Sequence, residues 1–114
     1  MQLDIRSRNV AVTGELRQHI ERRVGQALNR FKPYISSARI ALTDVNGPKG
    51  GMDKVCRLTV VLAGSDPVAV TEYGSNLFQI VGRLSDRINQ RVSSALAKAR
   101  RFDSTRSIRT AESS

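Results

Sequence analysis

Four short segments of the chain alternate apolar and polar residues, which is the pattern of half-buried β-strands. The segments are residues 2–6, 38–43, 54–62 and 68–72. Their apolar positions are Leu3, Ile5, Ala38, Ile40, Leu42, Cys56, Leu58, Val60, Leu62, Val68 and Val70. Each segment has a single convincing apolar face. We therefore predict a sheet that is covered by other elements on one side and is polar on the other.

Two longer segments repeat apolar residues at helical spacing. The first begins after Thr13, a suitable N-cap, and ends after Lys32, because Pro33 cannot continue a helix. The second runs from about Leu77 to Arg101, with Ser75 or Asn76 as its cap. The apolar stripes consist of Leu16, Ile20, Val24, Ala27, Leu28 and Phe31 in the first helix, and of Leu77, Ile80, Val81, Leu84, Ile88, Val92, Ala95, Leu96 and Ala99 in the second.

The predicted order is therefore β-α-β-β-β-α. The first β-α-β unit should be a crossover between parallel strands, and the two following connections are short enough for hairpins. Since every strand has one apolar face, both helices must pack on that face. We predict an α+β, two-layer sandwich with a four-stranded sheet. The sandwich would occupy residues 1–101 as one domain, and the polar, aperiodic residues 102–114 are expected to form a disordered tail.

The charge of the chain points to a polyanionic partner. Its 114 residues carry a net charge of +9, and the pI is about 11.0. The excess lies in the helices, because residues 33–74 contain four basic and four acidic residues. A single cysteine excludes an internal disulfide, and no apolar run is long enough to span a membrane. We expect a soluble cytoplasmic protein that binds nucleic acid rather than a membrane.

The basic residues are patterned within each helix. At about 100° per residue, they fall along one flank of each apolar stripe. On the second helix like charges stand four residues apart and repel each other, a cost that a bound anion would remove. Two such helices side by side would form a basic ridge or groove suited to an RNA backbone. The flanking residues are His19, Arg22, Arg23 and Arg30 on the first helix, and Arg83, Arg87, Arg91 and Lys98 on the second.

No combination of residues indicates catalysis. His19 is the only histidine, and Cys56 alternates with apolar residues as a buried small side chain would. Asp44 and Asp53 flank a glycine-rich loop and suit a turn. Aromatic residues are few, and Phe31 and Phe78 are expected in the core, so a base-stacking platform is missing. We therefore expect no enzyme, no metal or cofactor, and no small-molecule substrate.

The loop DVNGPKGGMDK, residues 44–54, admits two interpretations. Its glycines and proline supply turn geometry between two strands, which suffices to explain them. Alternatively, Lys49 and Lys54 contact RNA phosphate together with the exposed N–H groups of the glycines. The loop is not a P-loop, because it lacks the GxxxxGK[ST] order and leads into a strand.

The order of elements, the opening MQLDIRSRNVAVTGELRQHIERRV, the loop DVNGPKGGMDK and the closing basic helix together resemble the ribosome hibernation-promoting factors, also called ribosome-associated inhibitors or sigma-54 modulation proteins. The resemblance covers about residues 1–101. It implies a fold like that of double-stranded-RNA-binding domains, and basic helix faces that contact ribosomal RNA. The matching positions are Arg22, Arg23, Arg30, Arg83, Arg87, Arg91 and Lys98.

The resemblance further implies a translation inhibitor that binds the small ribosomal subunit between head and body and excludes tRNA and mRNA sterically. The chain is similar to the short form of the family, so ribosome dimerisation would need another factor. Two alternatives remain open at this point. One is a general binder of structured RNA, and the other is a binder of an acidic protein such as a transcription factor.

Overall fold

The computed structural model of the chain describes residues 2–45 and 53–113, with side chains described as far as Ala99. The order of elements is the predicted one, with one short 3₁₀ helix added. The elements are β1 (Leu3–Arg8), α1 (Gly14–Leu28), the 3₁₀ helix (Asn29–Tyr34), β2 (Ile35–Asp44), β3 (Lys54–Leu62), β4 (Val68–Gly74) and α2 (Leu77–Ser113). Within this part of the chain no helix is long and apolar enough to cross a membrane.

The four strands form one mixed sheet in the order β1-β2-β3-β4. β1 and β2 run parallel and are joined through α1, whereas β2–β3 and β3–β4 are antiparallel. The register places Ile5, Ile40, Leu58 and Val70 in one row across the sheet. This row faces the helices. The strands β1 and β4 are the two edges of the sheet.

The core lies between the sheet and the two helices, as predicted. Both apolar stripes contribute residues with no exposed surface, such as Ile20 on α1 and Leu84 on α2. The strand positions predicted to face inward are buried on β2, β3 and β4, while Leu3 and Ile5 on the edge strand β1 pack partly buried against the core. The α+β two-layer sandwich is therefore confirmed. On the opposite face of the sheet no helix of the described residues packs.

Helix α1 begins as predicted and ends earlier than predicted. The Thr13 hydroxyl accepts from the Leu16 N–H at 3.2 Å, which confirms the N-cap. The α-helix ends at Leu28, and the chain continues as a 3₁₀ helix that contains Pro33. The end at Lys32 was therefore wrong. The Asn89 side-chain amide donates to the Ala27 carbonyl at 2.7 Å and satisfies one of the last acceptors of α1.

Helix α2 begins at its predicted cap. The Asn76 side-chain oxygen accepts from the N–H groups of Phe78 and Gln79, at 2.9 and 3.4 Å, so Asn76 rather than Ser75 is the cap. The helix continues to Ser113, past the end at Arg101 that the pattern predicts. The side chains of residues 100–114 lie outside the described part, and the expected disorder of residues 102–114 stays a prediction.

The turn from β4 into α2 requires glycine at Gly74. A Cβ built there would lie 2.9 Å from Ile80 Cγ1 and 3.0 Å from Arg83 Nη2. Ile80 has no exposed surface and cannot move away without disturbing the core. Gly74 therefore fixes how closely the first turn of α2 packs on β4.

Candidate nucleic-acid interface

Arg23 on α1 and Arg30 in the 3₁₀ helix lie along the contact with α2. Arg23 reaches across to α2, where its Nη2 is 3.5 Å from the Gly82 carbonyl oxygen and 3.8 Å from Asp86. Arg30 donates to the Asn89 side-chain oxygen at 3.3 Å, and its guanidinium lies 4.6 Å from the centre of the Phe31 ring. Both guanidinium groups thus contact α2, and that of Arg30 also contacts Phe31 in the 3₁₀ helix. Part of each side chain remains exposed to solvent.

Gly82 stands inside α2, beside the contact with Arg23. A Cβ at this position would lie 3.5 Å from Arg23 Nη2, in ordinary van der Waals contact, so alanine would fit there. Helical glycine costs about 1 kcal/mol relative to alanine, and the structure gives no reason for glycine at this position. Nothing in the structure explains Gly25, around which the space is open.

His19 belongs to the same surface and joins the start of α2 to α1. Its Nε2 is 3.1 Å from the Phe78 carbonyl oxygen, and its Nδ1 is 3.5 Å from Arg22 Nη2. A ring protonated at Nε2 alone satisfies both contacts, because Nε2 then donates and Nδ1 accepts. The Phe78 ring packs against His19 at a tilt of 53°, with centroids 5.0 Å apart. Phe78 is 42% exposed, so its predicted place in the core is wrong.

The arginines of α2 point away from α1, towards the free edge of the sheet. Arg83 Nη2 donates to the Tyr73 carbonyl at 2.8 Å, and Arg87 Nη1 donates to the Thr71 carbonyl at 3.2 Å. These carbonyls belong to β4, which has no strand on its outer side. The two arginines thus cover the edge of the sheet with hydrogen bonds.

The two basic flanks therefore have different neighbours, α2 for one and the edge of β4 for the other, while the expected ridge or groove for RNA stays a prediction. We call the first the seam surface, defined by Arg22, Arg23 and Arg30, and the second the edge surface, defined by Arg83, Arg87, Arg91 and Lys98. Helical spacing places Arg91 and Lys98 on the same flank as the other two. Both are exposed, and no ion pair is seen for either among the side chains described.

Glu72 is a member of the edge surface that the sequence interpretation missed. Its carboxylate accepts from Arg83 Nε at 3.2 Å and from Arg87 Nη1, and its side chain is 17% exposed. The anion that relieves the repulsion between Arg83 and Arg87 is therefore part of the fold. The sequence contained a signal for this role of Glu72. Strand alternation places Glu72 on the inward face of β4 with Val68 and Val70, where a carboxylate needs a cation as partner.

Lys54 is engaged at the base of the β2–β3 hairpin. Its ammonium lies 2.9 Å from the Asp53 carboxylate and 3.1 Å from that of Asp44. Its pKa is raised by the hydrogen bond to Asp53, then by that to Asp44. Two carboxylates thus compete with any phosphate for Lys54. The rest of the glycine loop, including Lys49, lies outside the described residues.

The thiol of Cys56 is fully buried on the inward face of β3. Burial raises its pKa to about 12, so the reactive thiolate is not formed at neutral pH. This agrees with the interpretation of Cys56 as a small core residue.

The described surface offers charge and shape, which suit binding of a polyanion.

Comparisons with known proteins place this geometry in a family. The chain is similar in structure to a ribosomal subunit interface protein from Coxiella burnetii, with a TM-score of 0.69, 19% identity, and coverage of 85% of this chain and 99% of that one. The N-terminal domain of Protein Y from Thermus thermophilus gives a TM-score of 0.64 and 20% identity, over 90% of this chain and 99% of that domain. These likenesses establish the fold.

In a sequence comparison no curated protein matches the chain. The family model described as sigma 54 modulation protein / S30EA ribosomal protein matches residues 3–100, which include every described element except the end of α2. The match spans the seam surface, the edge surface and the whole sheet. The chain therefore belongs to the sigma 54 modulation protein / S30EA ribosomal protein family.

Proposed function

We propose that this protein is a ribosome-associated translation inhibitor that binds the small ribosomal subunit in the decoding channel. Bound there, it excludes tRNA and mRNA by occupying their space. The observation that carries the proposal is the family match over residues 3–100. The structural neighbour described as a ribosomal subunit interface protein supports the ribosome as partner.

The chemistry of binding is electrostatic. The seam and edge surfaces present guanidinium and ammonium groups whose spacing along two rigid helices suits phosphate groups rather than base edges. Each phosphate neutralised releases counterions, so binding weakens steeply as salt rises. Phosphate contacts position a protein on RNA without reading its sequence, and shape then decides the partner.

We give the proposed contact residues different weights, according to the partners that they already have in the folded chain. Arg22, Arg91 and Lys98 are exposed and are not engaged by a carboxylate among the described residues, so they are free to meet phosphate. Arg83 and Arg87 already hold Glu72 and the edge of β4, and Lys54 holds two aspartates. We propose Arg22, Arg30, Arg91 and Lys98 as the main contacts. Arg83, Arg87, Lys54 and Arg23, which lies 3.8 Å from Asp86, are proposed as secondary ones, and Lys49 stays a proposed contact outside the described residues.

Co-sedimentation with purified small subunits tests the proposal. We expect stoichiometric binding of the wild type at about 0.1 M salt, and its loss when excess tRNA occupies the channel. The variants R22Q/R30Q and R91Q/K98Q each remove two charges. Each should lower the slope of log affinity against log salt by up to about 2, or about 1 for each phosphate that is no longer neutralised.

A charge-conserving variant serves as the control for these substitutions. R22K/R30K keeps both cations, and it should retain most of the binding that R22Q/R30Q loses, although arginine and lysine differ in geometry. Substitution of Arg83 and Arg87 is avoided, since it would also uncover the edge of β4. Wild-type protein that stays at the top of the gradient, or binding that tRNA does not reduce, would contradict a site in the decoding channel.

A further inference from the structure

Within residues 2–45 and 53–113, no helix or strand covers the face of the sheet opposite the helices, and neither the seam surface nor the edge surface uses it. Strand alternation and the register define this open face, whose members point away from the core. Its charged residues are Asp4, Arg6 and Arg8 on β1, Arg39 on β2 and Arg57 on β3. Four arginines against one aspartate make it strongly basic.

The arginines of the open face are largely solvent-exposed. The side chains of Arg6 and Arg39 are 66% and 64% exposed, although both contact Asp4, at 2.9 and 3.4 Å. Arg6 and Asp4 are neighbours on β1, and Arg39 stands beside Asp4 on β2. Arg57 is exposed and has no acidic partner among the described side chains. One carboxylate is thus shared by two guanidinium groups, which leaves an excess of positive charge.

Short side chains form the floor between these arginines. The register places Ala41 between Arg6 and Arg57, which are therefore two strands, or about 10 Å, apart. Next to this row the sheet forms an open depression. The lining includes Gln2, Asp4, Ser37, Arg39, Thr59 and Val61. Short side chains on the floor allow an extended chain to approach while the arginines reach it from the sides.

The side chains of this face favour a phosphate backbone over stacked bases. Single-strand-binding sheets stack successive bases on two or three aromatic residues. Tyr73, 56% exposed at the β4 side, is the one aromatic residue that the described part of the open face presents. Arginine, by contrast, matches phosphate oxygens with its planar fork of N–H donors.

We propose that the open face is a second RNA-binding surface, which contacts the phosphodiester backbone of ribosomal RNA through Arg6, Arg39 and Arg57. The inference rests on the proposed function and extends it from the helices to the opposite side of the molecule. RNA contacts on two opposite faces require a partner that encloses the protein. A cleft within a large ribonucleoprotein meets this requirement, whereas a single convex RNA does not.

Substitutions of opposite sign test the open face. The variant R6Q/R39Q/R57Q should bind small subunits at least tenfold more weakly than the wild type, with a salt slope lower by about 2 to 3. D4N removes the carboxylate that competes for Arg6 and Arg39, so it should bind more tightly. Thermal melts of all three proteins separate binding from folding. Unchanged affinity in both variants, with the wild type bound, would overturn the proposal.

Site-directed probing locates the face on the ribosome. Cys56 is buried and unreactive, so a single introduced cysteine accepts an iron chelate that generates hydroxyl radicals. We expect ribosomal RNA cleavage from T59C, on the open face, and from Q26C, an exposed position on α1. Cleavage from Q26C alone overturns the second surface and leaves the proposed function standing. A wild type that does not bind small subunits overturns both.

Discussion

At the scale of single residues, Glu72 supplies the negative charge that Arg83 and Arg87 contact within the folded chain. It lies between Arg83 and Arg87, which also donate to the carbonyls of Tyr73 and Thr71. The side chains of Arg83 and Arg87 are 49% and 47% exposed. A ribosomal phosphate can therefore reach them, but it must share them with a carboxylate. We infer that Glu72 stabilises the free protein and weakens its binding to RNA.

We expect E72Q to bind small subunits severalfold more tightly than the wild type at low salt, because the two guanidinium groups lose their charged competitor. The same change should lower the free energy of unfolding by about 1 kcal/mol, the order expected for a half-exposed ion pair. Affinity from sedimentation and stability from urea denaturation give the two measurements. Thus one substitution should move binding and stability in opposite directions.

Asp66 offers a matched control for E72Q. It is exposed in the turn between β3 and β4, and D66N changes the net charge by the same amount. D66N should alter affinity only slightly, through the general field of the protein. Equal gains in D66N and E72Q would show that net charge alone acts, and the specific role of Glu72 would then be rejected.

At the scale of elements, the β2–β3 hairpin is closed by the Asp44–Lys54–Asp53 cluster. Asp44 and Lys54 are register partners, and the Val45 N–H donates to the Asp53 carbonyl at 2.8 Å. Asp53 is buried, at 3% exposure, so its carboxylate depends on the Lys54 ammonium. Removing one partner of such a pair leaves an uncompensated charge, which costs more than the pair itself contributes.

We expect K54M to lower the melting temperature by several degrees at neutral pH. R57M is the control, because Arg57 lies on the same strand but on the open face, without an acidic partner in the described structure. The raised pKa of Lys54 determines how its contribution to the free energy of unfolding depends on pH. This contribution is complete below the pKa that Lys54 has in the unfolded chain, and it is lost as pH rises through the pKa in the folded protein. The difference between K54M and wild type should therefore stay constant from about pH 7 to 9. If K54M were as stable as R57M, the stabilising role of the Asp44–Lys54–Asp53 cluster would be contradicted.

The elements were predictable because each strand and helix buries one face, and alternation records that face directly. Thr13 and Asn76 were predictable as caps for a similarly local reason. The direction in which the α2 arginines point was not predictable. Helical spacing shows that one flank of α2 is basic, but it does not show which neighbouring element that flank contacts. Phe78 was misplaced because residue type suggested burial, whereas the first turn of α2 turns its ring towards His19.

At the scale of the whole molecule, basic groups occupy three directions around one sandwich. The seam surface lies over the two helices, the edge surface lies beside β4, and the open face lies under the sheet. A fold whose helices were its only RNA-binding surface could leave the opposite face neutral or acidic. Here that face carries four arginines and one aspartate. This distribution agrees with the proposal that a polyanion surrounds the bound protein.

Salt dependence measures how much of this surface is used at once. A free tRNA can meet one surface of the sandwich at a time, whereas a cleft in the small subunit meets several. Since the slope of log affinity against log salt counts the phosphates neutralised, we expect a steeper slope on small subunits than on tRNA, by at least about 2. R6Q/R39Q/R57Q should reduce the slope on small subunits and leave the slope on tRNA unchanged if tRNA binds the helices. Equal slopes on both partners would mean that one surface suffices, and the protein would then be a general binder of structured RNA.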